Sequence, residues 1–177
     1  CVAHGVAGHA ARNTGENAIY KAMQDIEWFR THKFPKSSAL LGDVKMSVTQ
    51  IMAGTQHNVI PDECSFVVDV RSNECYSNKE LLEIISNSVA CDVNARSTRL
   101  NSSFISTEHP LVKRAIELGR EPFGSPTLSN QALLNIPTLK MGPGESARSH
   151  TAGEFIKISE IREGLDIFVQ MLDGLEL

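Results

Sequence analysis

The nine residues from Glu63 to Arg71 alternate between apolar and polar side chains, and this alternation constrains the fold more than any other pattern in the chain. The apolar positions are Cys64, Phe66, Val68 and Val70. Successive side chains of a β-strand point to opposite faces of its sheet, so the pattern predicts a strand with one buried face. Such a strand is typical of a two-layer α+β domain.

The other patterned segments give this strand a place in a β-α-β-β-α-β order. In chain order they are a strand end at Cys1–Ala7, a helix capped by Thr14, a strand at Lys45–Ala53, a helix that begins at the capping box Ser77–Glu80, and a weaker strand at Val93–Leu100. The apolar stripe of the first helix contains Ala18, Ile19, Ala22, Met23, Ile26 and Phe29. This order predicts a ferredoxin-like (βαββαβ) two-layer domain of the α+β class for residues 1–102. A polar, serine-rich stretch at residues 100–106 marks its boundary.

Residues 103–177 follow a different pattern. They contain a helix at Pro110–Arg120 that buries Leu111, Ala115 and Leu118, a turn at Phe123–Pro126, a strand at Ile136–Met141, and a final helix capped by Ser159 that buries Ile161, Leu165, Phe168 and Leu172. Two helices around one short strand do not bury a sheet, so this segment is expected to be one portion of a larger α/β domain. The chain also begins with Cys-Val-Ala instead of Met, which indicates the middle of a longer protein.

Composition narrows the classes of function. The chain has 17 basic and 21 acidic residues and a net charge of −4, so electrostatics favours neither nucleic acid nor an anionic membrane as a partner. Its apolar runs are only a few residues long, and no signal-peptide pattern stands at the start. Four cysteines without a Cys-x-x-Cys pair are typical of free thiols, so a cytoplasmic location is expected.

The stretch from Gly142 to Glu154 is the strongest candidate for a functional loop. It lies between a predicted strand and a predicted helix, where open α/β sheets carry their chemistry. Two glycines and a proline leave room for a substrate near the backbone, and His150 stands four residues before a carboxylate. One histidine does not make a metal site, so the loop needs further residues from elsewhere.

Five motifs in a fixed order resemble one known family. They are Gly5-x-x-x-His9-Ala10-Ala11 with Gly15-x-Asn17-Ala18-Ile19, then Asn58-Val59-Ile60-Pro61, Asp69-Val70-Arg71, Thr127-Leu128-Ser129-Asn130, and Gly142-Pro143-Gly144 followed by His150 and Glu154. Together they resemble the second half of a two-zinc aminoacylase/carboxypeptidase-type hydrolase. That superfamily includes acetylornithine deacetylase, succinyl-diaminopimelate desuccinylase and glutamate carboxypeptidase, and the residues around His150 are most similar to the acetylornithine deacetylase branch.

Members of this superfamily have a metal-binding α/β domain that is interrupted by a ferredoxin-like lid, through which they dimerise. The resemblance therefore implies a lid or dimerisation domain at residues 1–102 and the C-terminal portion of the catalytic domain at residues 103–177. The family's His-x-Asp, bridging-Asp and Glu-Glu motifs have no counterpart in this sequence. The chain thus offers one metal ligand, His150, to a centre of two zinc ions, for which cobalt is an alternative. Asn130 also departs from the aspartate of many relatives.

The resemblance assigns further roles residue by residue. His9 matches the lid histidine that reaches into the partner's active site and stabilises an oxyanion, Asn58 and Arg71 match the pair that holds the substrate's carboxylate, and Gly142 and Gly144 match the substrate-binding loop. Each residue also has a simpler interpretation. His9 is then a turn residue, Arg71 a strand-end ion pair with Asp69 or Glu63, Asn58 a turn former, the glycines a tight turn, and His150 a solvated or structural histidine.

Three hypotheses for the function remain. The resemblance implies a homodimeric parent protein that hydrolyses the N-acyl amide of a small amino acid, such as N-acetyl- or N-succinyl-ornithine or citrulline. This chain alone lacks the general base and is then inactive, with weak zinc binding at best. Alternatively, the chain is a dimerisation module with open sheet edges. The third hypothesis is a small-ligand regulatory domain of ferredoxin-like architecture in which the motif matches arise by chance.

Overall fold

The structure is a computed structural model that describes residues 1–12, 14–125 and 127–176. The chain divides into two compact units, Cys1–Ser102 with Ser125–Leu128, and Ser103–Gly124 with Ser129–Leu177. The first unit contains β1 (Val2–His4), β2 (Gly8–His9), α1 (Ala18–Thr31), β3 (Lys45–Ala53), β4 (Val59–Ile60), β5 (Glu63–Arg71) and α2 (Asn78–Ser88). The second contains α3 (Pro110–Glu117) and α4 (Ile158–Leu172). Within the described ranges, every helix falls short of the length and apolar character that a membrane span requires.

The alternating segment is the central strand of the first unit. β5 pairs antiparallel with β1 on one side and with β3 on the other, and β2 pairs with β4 in a separate two-stranded sheet. The core joins this sheet to both helices through Ala18, Ala22, Phe29, Cys64, Phe66, Leu81 and Ile85. The first unit is therefore a small mixed α/β fold with antiparallel sheets.

The predicted fourth strand of a ferredoxin-like sheet does not form. Residues 93–100, all of them described, lie outside the strands, and a single bridge between Val2 and Asp92 lies on the free side of β1. Residues 94–99 are polar except for Ala95, so a strand there would have no apolar face to bury. The described residues thus form three strands of the predicted ferredoxin-like sheet, and its four-stranded form is not confirmed.

The two helices of the first unit begin differently. The predicted capping box of α2 is confirmed, because Ser77 Oγ accepts from the Glu80 N–H at 3.2 Å and the Glu80 carboxylate accepts from the Ser77 N–H at 2.7 Å. Thr14 does not cap α1, since the chain still turns at Gly15 with φ of +94°. Asn17 is the N-cap instead, and its side chain accepts from the Ile19 N–H at 2.9 Å.

The buried face of α1 contains Ala18, Ala22 and Phe29 of the predicted stripe, with Ile19 and Ile26 partly buried, but it includes Asp25 and leaves Met23 out. Met23 is 58% exposed, whereas the carboxylate residue Asp25 is only 6% exposed. The Asp25 side chain accepts from the backbone N–H groups of Ala90 at 2.9 Å and Cys91 at 3.0 Å. A buried charged group is tolerated here because backbone donors satisfy it, and it ties α1 to the segment after α2.

In the second unit both predicted helices form, and Ala115 is buried as predicted, but the other predicted core residues are half-buried or exposed. α3 buries Val112 and Ala115, while Leu111 and Leu118 are only half-buried. α4 begins after Lys157 and not after Ser159, and it buries Gly164 and Met171. The side chains predicted to be buried are largely exposed at Ile161 (48%), Leu165 (64%) and Leu172 (58%), with Phe168 half-buried.

The predicted strand at Ile136–Met141 is absent, although all six residues are described. A strand needs a neighbouring strand to pair its backbone groups, and the described part of this unit contains none. Ile136 is accordingly 64% exposed. The turn predicted at Phe123–Pro126 includes Pro126, which lies outside the described residues.

The four cysteines are free thiols that differ in accessibility, and this gives a testable result. Burial, with the nearby Asp25 carboxylate second, raises the pKa of Cys91 from 9.0 to about 12, and burial also raises the pKa of Cys64. At pH 8 a thiol reagent should therefore modify the half-buried Cys1 and Cys75 quickly and the other two only on unfolding. Counting the thiols that react before and after denaturation checks this. Fast reaction of Cys91 in the folded protein would contradict it.

The Cys91 thiol also makes the free energy of unfolding depend on pH. The folded state keeps the Cys91 proton up to about pH 12, whereas an unfolded cysteine loses it near pH 9.0. The free energy of unfolding should therefore fall as the pH rises from 9 towards 12. A Cys91→Ala variant serves as the control, and its free energy of unfolding should fall less steeply over that range.

Candidate functional site

His9 lies at one end of the first unit on the short ribbon formed by β2 and β4. It pairs with Val59, and the Ala10 N–H donates to the Asn58 carbonyl oxygen at 3.0 Å, so His9 and Asn58 are neighbours across the ribbon. The His9 side chain is exposed, and its Nδ1 accepts from the Ala11 N–H at 3.1 Å. A neutral ring with an accepting Nδ1 carries its proton on Nε2, so Nε2 is a hydrogen-bond donor.

Glycines shape the turn that holds this ribbon. A Cβ on Gly5 would lie 2.1 Å from the Glu16 carbonyl oxygen, and a Cβ on Gly8 would lie 2.2 Å from the Thr14 carbonyl oxygen. Both distances are far inside van der Waals contact, so the backbone approaches itself here as only glycine permits. Gly5 and Gly8 therefore have a steric role in positioning His9.

Replacing Gly8 with alanine should open this ribbon. The added Cβ must displace backbone, which we expect to destabilise the first unit by about 2–3 kcal/mol. Hydrogen exchange at the Val59 and Ile60 amides would measure the loss. The matched control is Gly142→Ala, because a Cβ at Gly142 has no neighbour within 4 Å. We expect that variant to stay within about 0.5 kcal/mol of the parent chain, and equal effects of the two substitutions would contradict the steric role.

Arg71 lies at the opposite end of the sheet from His9 and Asn58. It is opposite Lys45 at the far end of β5, whereas β4 joins the near end at Glu63. Nine strand residues span about 26 Å, so one protomer does not bring Arg71 and Asn58 together. Arg71 donates instead to both carboxylate oxygens of Asp69 at 2.8 Å, with 60% of its side chain exposed. This ion pair is the simpler interpretation of Arg71, and it uses two of the five guanidinium N–H donors.

Gly142, Gly144 and His150 lie in the second unit, on the segment that precedes α4. Gly144 has φ of +80°, and a Cβ there would lie 3.3 Å from Ile156 Cδ1, so its conformation requires glycine. His150 has φ of +60°, the one non-glycine residue with positive φ in the described part of the chain. Its side chain is exposed, and its backbone N–H donates to Glu154 Oε2 at 3.0 Å. Glu154 thus fixes the backbone of the loop.

Arg148 in this loop and Glu160 in the first turn of α4 form an ion pair that the sequence analysis did not predict. Arg148 Nη1 lies 2.9 Å from both Glu160 carboxylate oxygens, and their side chains are only 17% and 19% exposed. The pairing raises the pKa of Arg148, and hydrogen bonding from the Lys157 N–H, together with Arg148, lowers the pKa of Glu160. The only available signal was an arginine inside the loop with a glutamate in the first turn of the next helix.

A metal centre would need several imidazole and carboxylate ligands close together. Among the described residues no three His, Cys, Asp or Glu side chains are grouped to hold a metal ion. The exposed imidazole of His150 fits the role of one ligand, and its backbone is fixed by Glu154. Within the described residues, the donor groups therefore fit one ligand of a zinc site and form no complete site.

Comparison with known proteins identifies the first unit. Residues 1–90 match the family model of the peptidase dimerisation domain, M20_dimer. The chain is similar to the protein named "Putative succinyl-diaminopimelate desuccinylase DapE" in two strains of Mycobacterium tuberculosis, CDC 1551 / Oshkosh and ATCC 25618 / H37Rv. In each case it is 24% identical over 180 residues, which cover 96% of this chain and 51% of the relative. The chain thus spans about half the length of these relatives.

The fold has a counterpart among solved structures. The aminopeptidase PepT from Bacillus cereus ATCC 10987 superposes with a TM-score of 0.63 over 97% of this chain and 49% of its own, at 20% sequence identity. The motifs and the family model agree, since both assign the region around His9, Asn58 and Arg71 to a dimerisation domain. The chain belongs to the peptidase dimerisation domain family.

Proposed function

We propose that this chain is the lid and the C-terminal part of a zinc-dependent hydrolase that cleaves the N-acyl amide of a small amino acid. The observation that carries the proposal is the separation of the polar residues in the lid. His9 and Asn58 are exposed together at one end of the sheet, and Arg71 is exposed at the other. If two protomers share each site, one end of a protomer contributes to one site and its other end contributes to the second site. The residues of a single protomer are then expected to lie far apart.

A simple two-fold pairing would bring the two ends together. β3 is an outer strand, so its free edge can pair with a second copy. When two such edges pair antiparallel, the Ala53 end of one lies beside the Lys45 end of the other. Lys45 is opposite Arg71, and Ala53 is at the end that carries His9. His9 of one protomer would therefore approach the partner's Arg71.

The surface next to this edge favours a homodimer. On α1, Tyr20 is 68% exposed and Met23 58%, and they line a shallow depression. α1 packs against β3, on which Ile51 (53%) and Met52 (70%) are also exposed. Exposed apolar side chains on a helix and an adjoining edge strand are typical of an interface. The same surface supports a second candidate function, a dimerisation module without catalysis.

In such a dimer the lid residues would act on the substrate directly. The Nε2 donor of His9 would stabilise the negative charge that develops on the acyl oxygen during amide hydrolysis. Arg71 would bind the substrate's carboxylate with its guanidinium fork, assisted by the Asn58 amide. Zinc or cobalt, held by His150 and by ligands outside this chain, would activate water and polarise the acyl carbonyl.

The proposed substrate class comes from the family resemblance, and these roles are compatible with it. N-acetyl- or N-succinyl-ornithine, or the corresponding citrulline compounds, carry both an acyl amide and a free carboxylate. The residues around His150 resemble acetylornithine deacetylase, and the relatives from Mycobacterium tuberculosis carry the name of a desuccinylase. Both names describe removal of an acyl group from an amino acid. A cytoplasmic location is part of this proposal.

The exposed face of α4 supports a larger parent protein. Ile158, Ile161, Leu165, Val169 and Leu172 recur at helical spacing and are 48–70% exposed. A soluble helix with such a face needs a partner, and the relatives are about twice as long as this chain. We propose that the face packs against the remaining part of the catalytic domain.

Turnover assays test the proposal. The complete protein should hydrolyse N-acetyl-ornithine or N-succinyl-ornithine and lose activity when a chelator removes zinc. The 177-residue chain, incubated with zinc, should show no more turnover than its His150→Ala variant, because the general base lies elsewhere. Failure of the complete protein on every N-acyl amino acid would contradict the hydrolase assignment. Activity of the 177-residue chain above that of its His150→Ala variant would contradict the proposal that the general base lies outside this chain.

A further inference from the structure

The loop that carries His150 is fastened to α4 through one arginine. Arg148 Nη1 binds both oxygens of Glu160, its Nη2 donates to Glu145 Oε1 at 2.6 Å, and its guanidinium carbon lies 4.7 Å from the ring centre of Phe155. Among the ion pairs of the described residues, Arg148–Glu160 has the least exposed partners. Most surface ion pairs contribute little to the free energy of unfolding. An ion pair that is shielded from solvent and uses the planar guanidinium group of arginine holds a defined geometry.

The Arg148–Glu160 ion pair holds the backbone two residues before His150. The Thr151 hydroxyl donates to the Arg148 carbonyl oxygen at 2.7 Å, so the chain folds back across His150. His150 itself has φ of +60°, a conformation that costs a non-glycine residue about 1–3 kcal/mol. Such a conformation persists only where the surroundings fix it. Arg148 on one side and Glu154 on the other provide that support.

We propose that Arg148 is a positioning residue for His150, holding the loop so that the imidazole stays at a fixed place for a zinc ion. The role in zinc binding rests on the proposed function. The residue does not touch the metal or the substrate, and it acts through the backbone of the loop. Glu160, in the first turn of α4, anchors it.

The experiment compares variants in the complete protein. Arg148→Ala should weaken zinc binding about 10- to 100-fold in a chelator competition, and should speed hydrogen exchange at the His150 amide in the metal-free protein. The double exchange Arg148→Glu with Glu160→Arg should recover part of both losses. Arg120→Ala is the matched control, because its pair with Glu163 on the same helix is more exposed (42% and 64%). It should change neither readout.

The outcomes separate this inference from the proposed function. If the unmodified protein neither binds zinc nor hydrolyses an N-acyl amino acid, the proposed function is wrong, and exchange at His150 still decides whether Arg148 holds the loop. If the unmodified protein binds zinc and Arg148→Ala binds it equally well, the positioning role is overturned. Should Arg148→Ala fail to fold, Arg148→Lys, which keeps the charge but loses the fork, gives the same comparison.

Discussion

Replacing His9 with alanine in the complete protein should, under the proposed function, lower kcat about 100- to 1000-fold and leave KM nearly unchanged. The reason is that a donor aimed at the developing oxyanion acts in the transition state and not in the bound substrate. The Ala11 N–H occupies Nδ1, so the loss falls on the Nε2 donor. Steady-state kinetics on an N-acyl amino acid measures both constants.

The control for this result is His4→Ala. His4 is also exposed and its Nε2 lies at hydrogen-bond distance, 2.9 Å, from the Asp92 carboxylate, but it lies on β1 outside the ribbon. It should leave kcat unchanged, and thermal unfolding should show that both variants fold. A His9→Ala enzyme with wild-type kcat would return His9 to the simpler interpretation of a turn residue.

Replacing Asp25 with alanine should destabilise the first unit by about 2–4 kcal/mol, the second large effect we expect. The substitution leaves the N–H groups of Ala90 and Cys91 without their acceptor, and Cys91 is buried. For a unit of this size the midpoint of thermal unfolding should fall by about 10 °C or more. The single tryptophan, Trp28 on α1, stacks on His32 and reports the transition by fluorescence.

Asp92→Ala is the matched control for Asp25. Its side chain is 70% exposed and contacts the exposed His4, so its removal should lower the free energy of unfolding by less than about 1 kcal/mol. If the Asp25→Ala variant is as stable as Asp92→Ala, the hydrogen bonds between Asp25 and the segment after α2 contribute little to the free energy of unfolding.

The sequence predicts the elements of the first unit where the pattern is local. The alternation at Glu63–Arg71, the β-forming run at Lys45–Ala53 and the capping box at Ser77 depend on neighbouring residues, and all three are confirmed. Asp25 could not be placed in the core from its sequence, because its acceptors are used by backbone donors 65 and 66 residues away. Long-range polar contacts leave no periodic signal.

Predictions for the second unit depended on partners as well as on pattern. The apolar run at Ile136–Met141 has strand-forming residues but no strand to pair with in the described chain. The apolar stripe of α4 exists but is exposed, since burial needs a facing surface. The candidate site shows the same contrast between local pattern and long-range structure. The order of the motifs indicates which residues belong to the site, whereas the separation of Arg71 from Asn58 follows only from the strand register.

Mixed dimers of the complete protein test most directly whether each site is shared. His9→Ala and Arg71→Ala homodimers should each be nearly inactive. When the two variants are mixed and allowed to exchange subunits, one of the two sites in each heterodimer combines an intact Arg71 with the partner's His9. Activity should then return to about a quarter of the wild-type level, since half of the dimers are heterodimers. No recovery in mixtures shown to contain heterodimers would contradict the shared site.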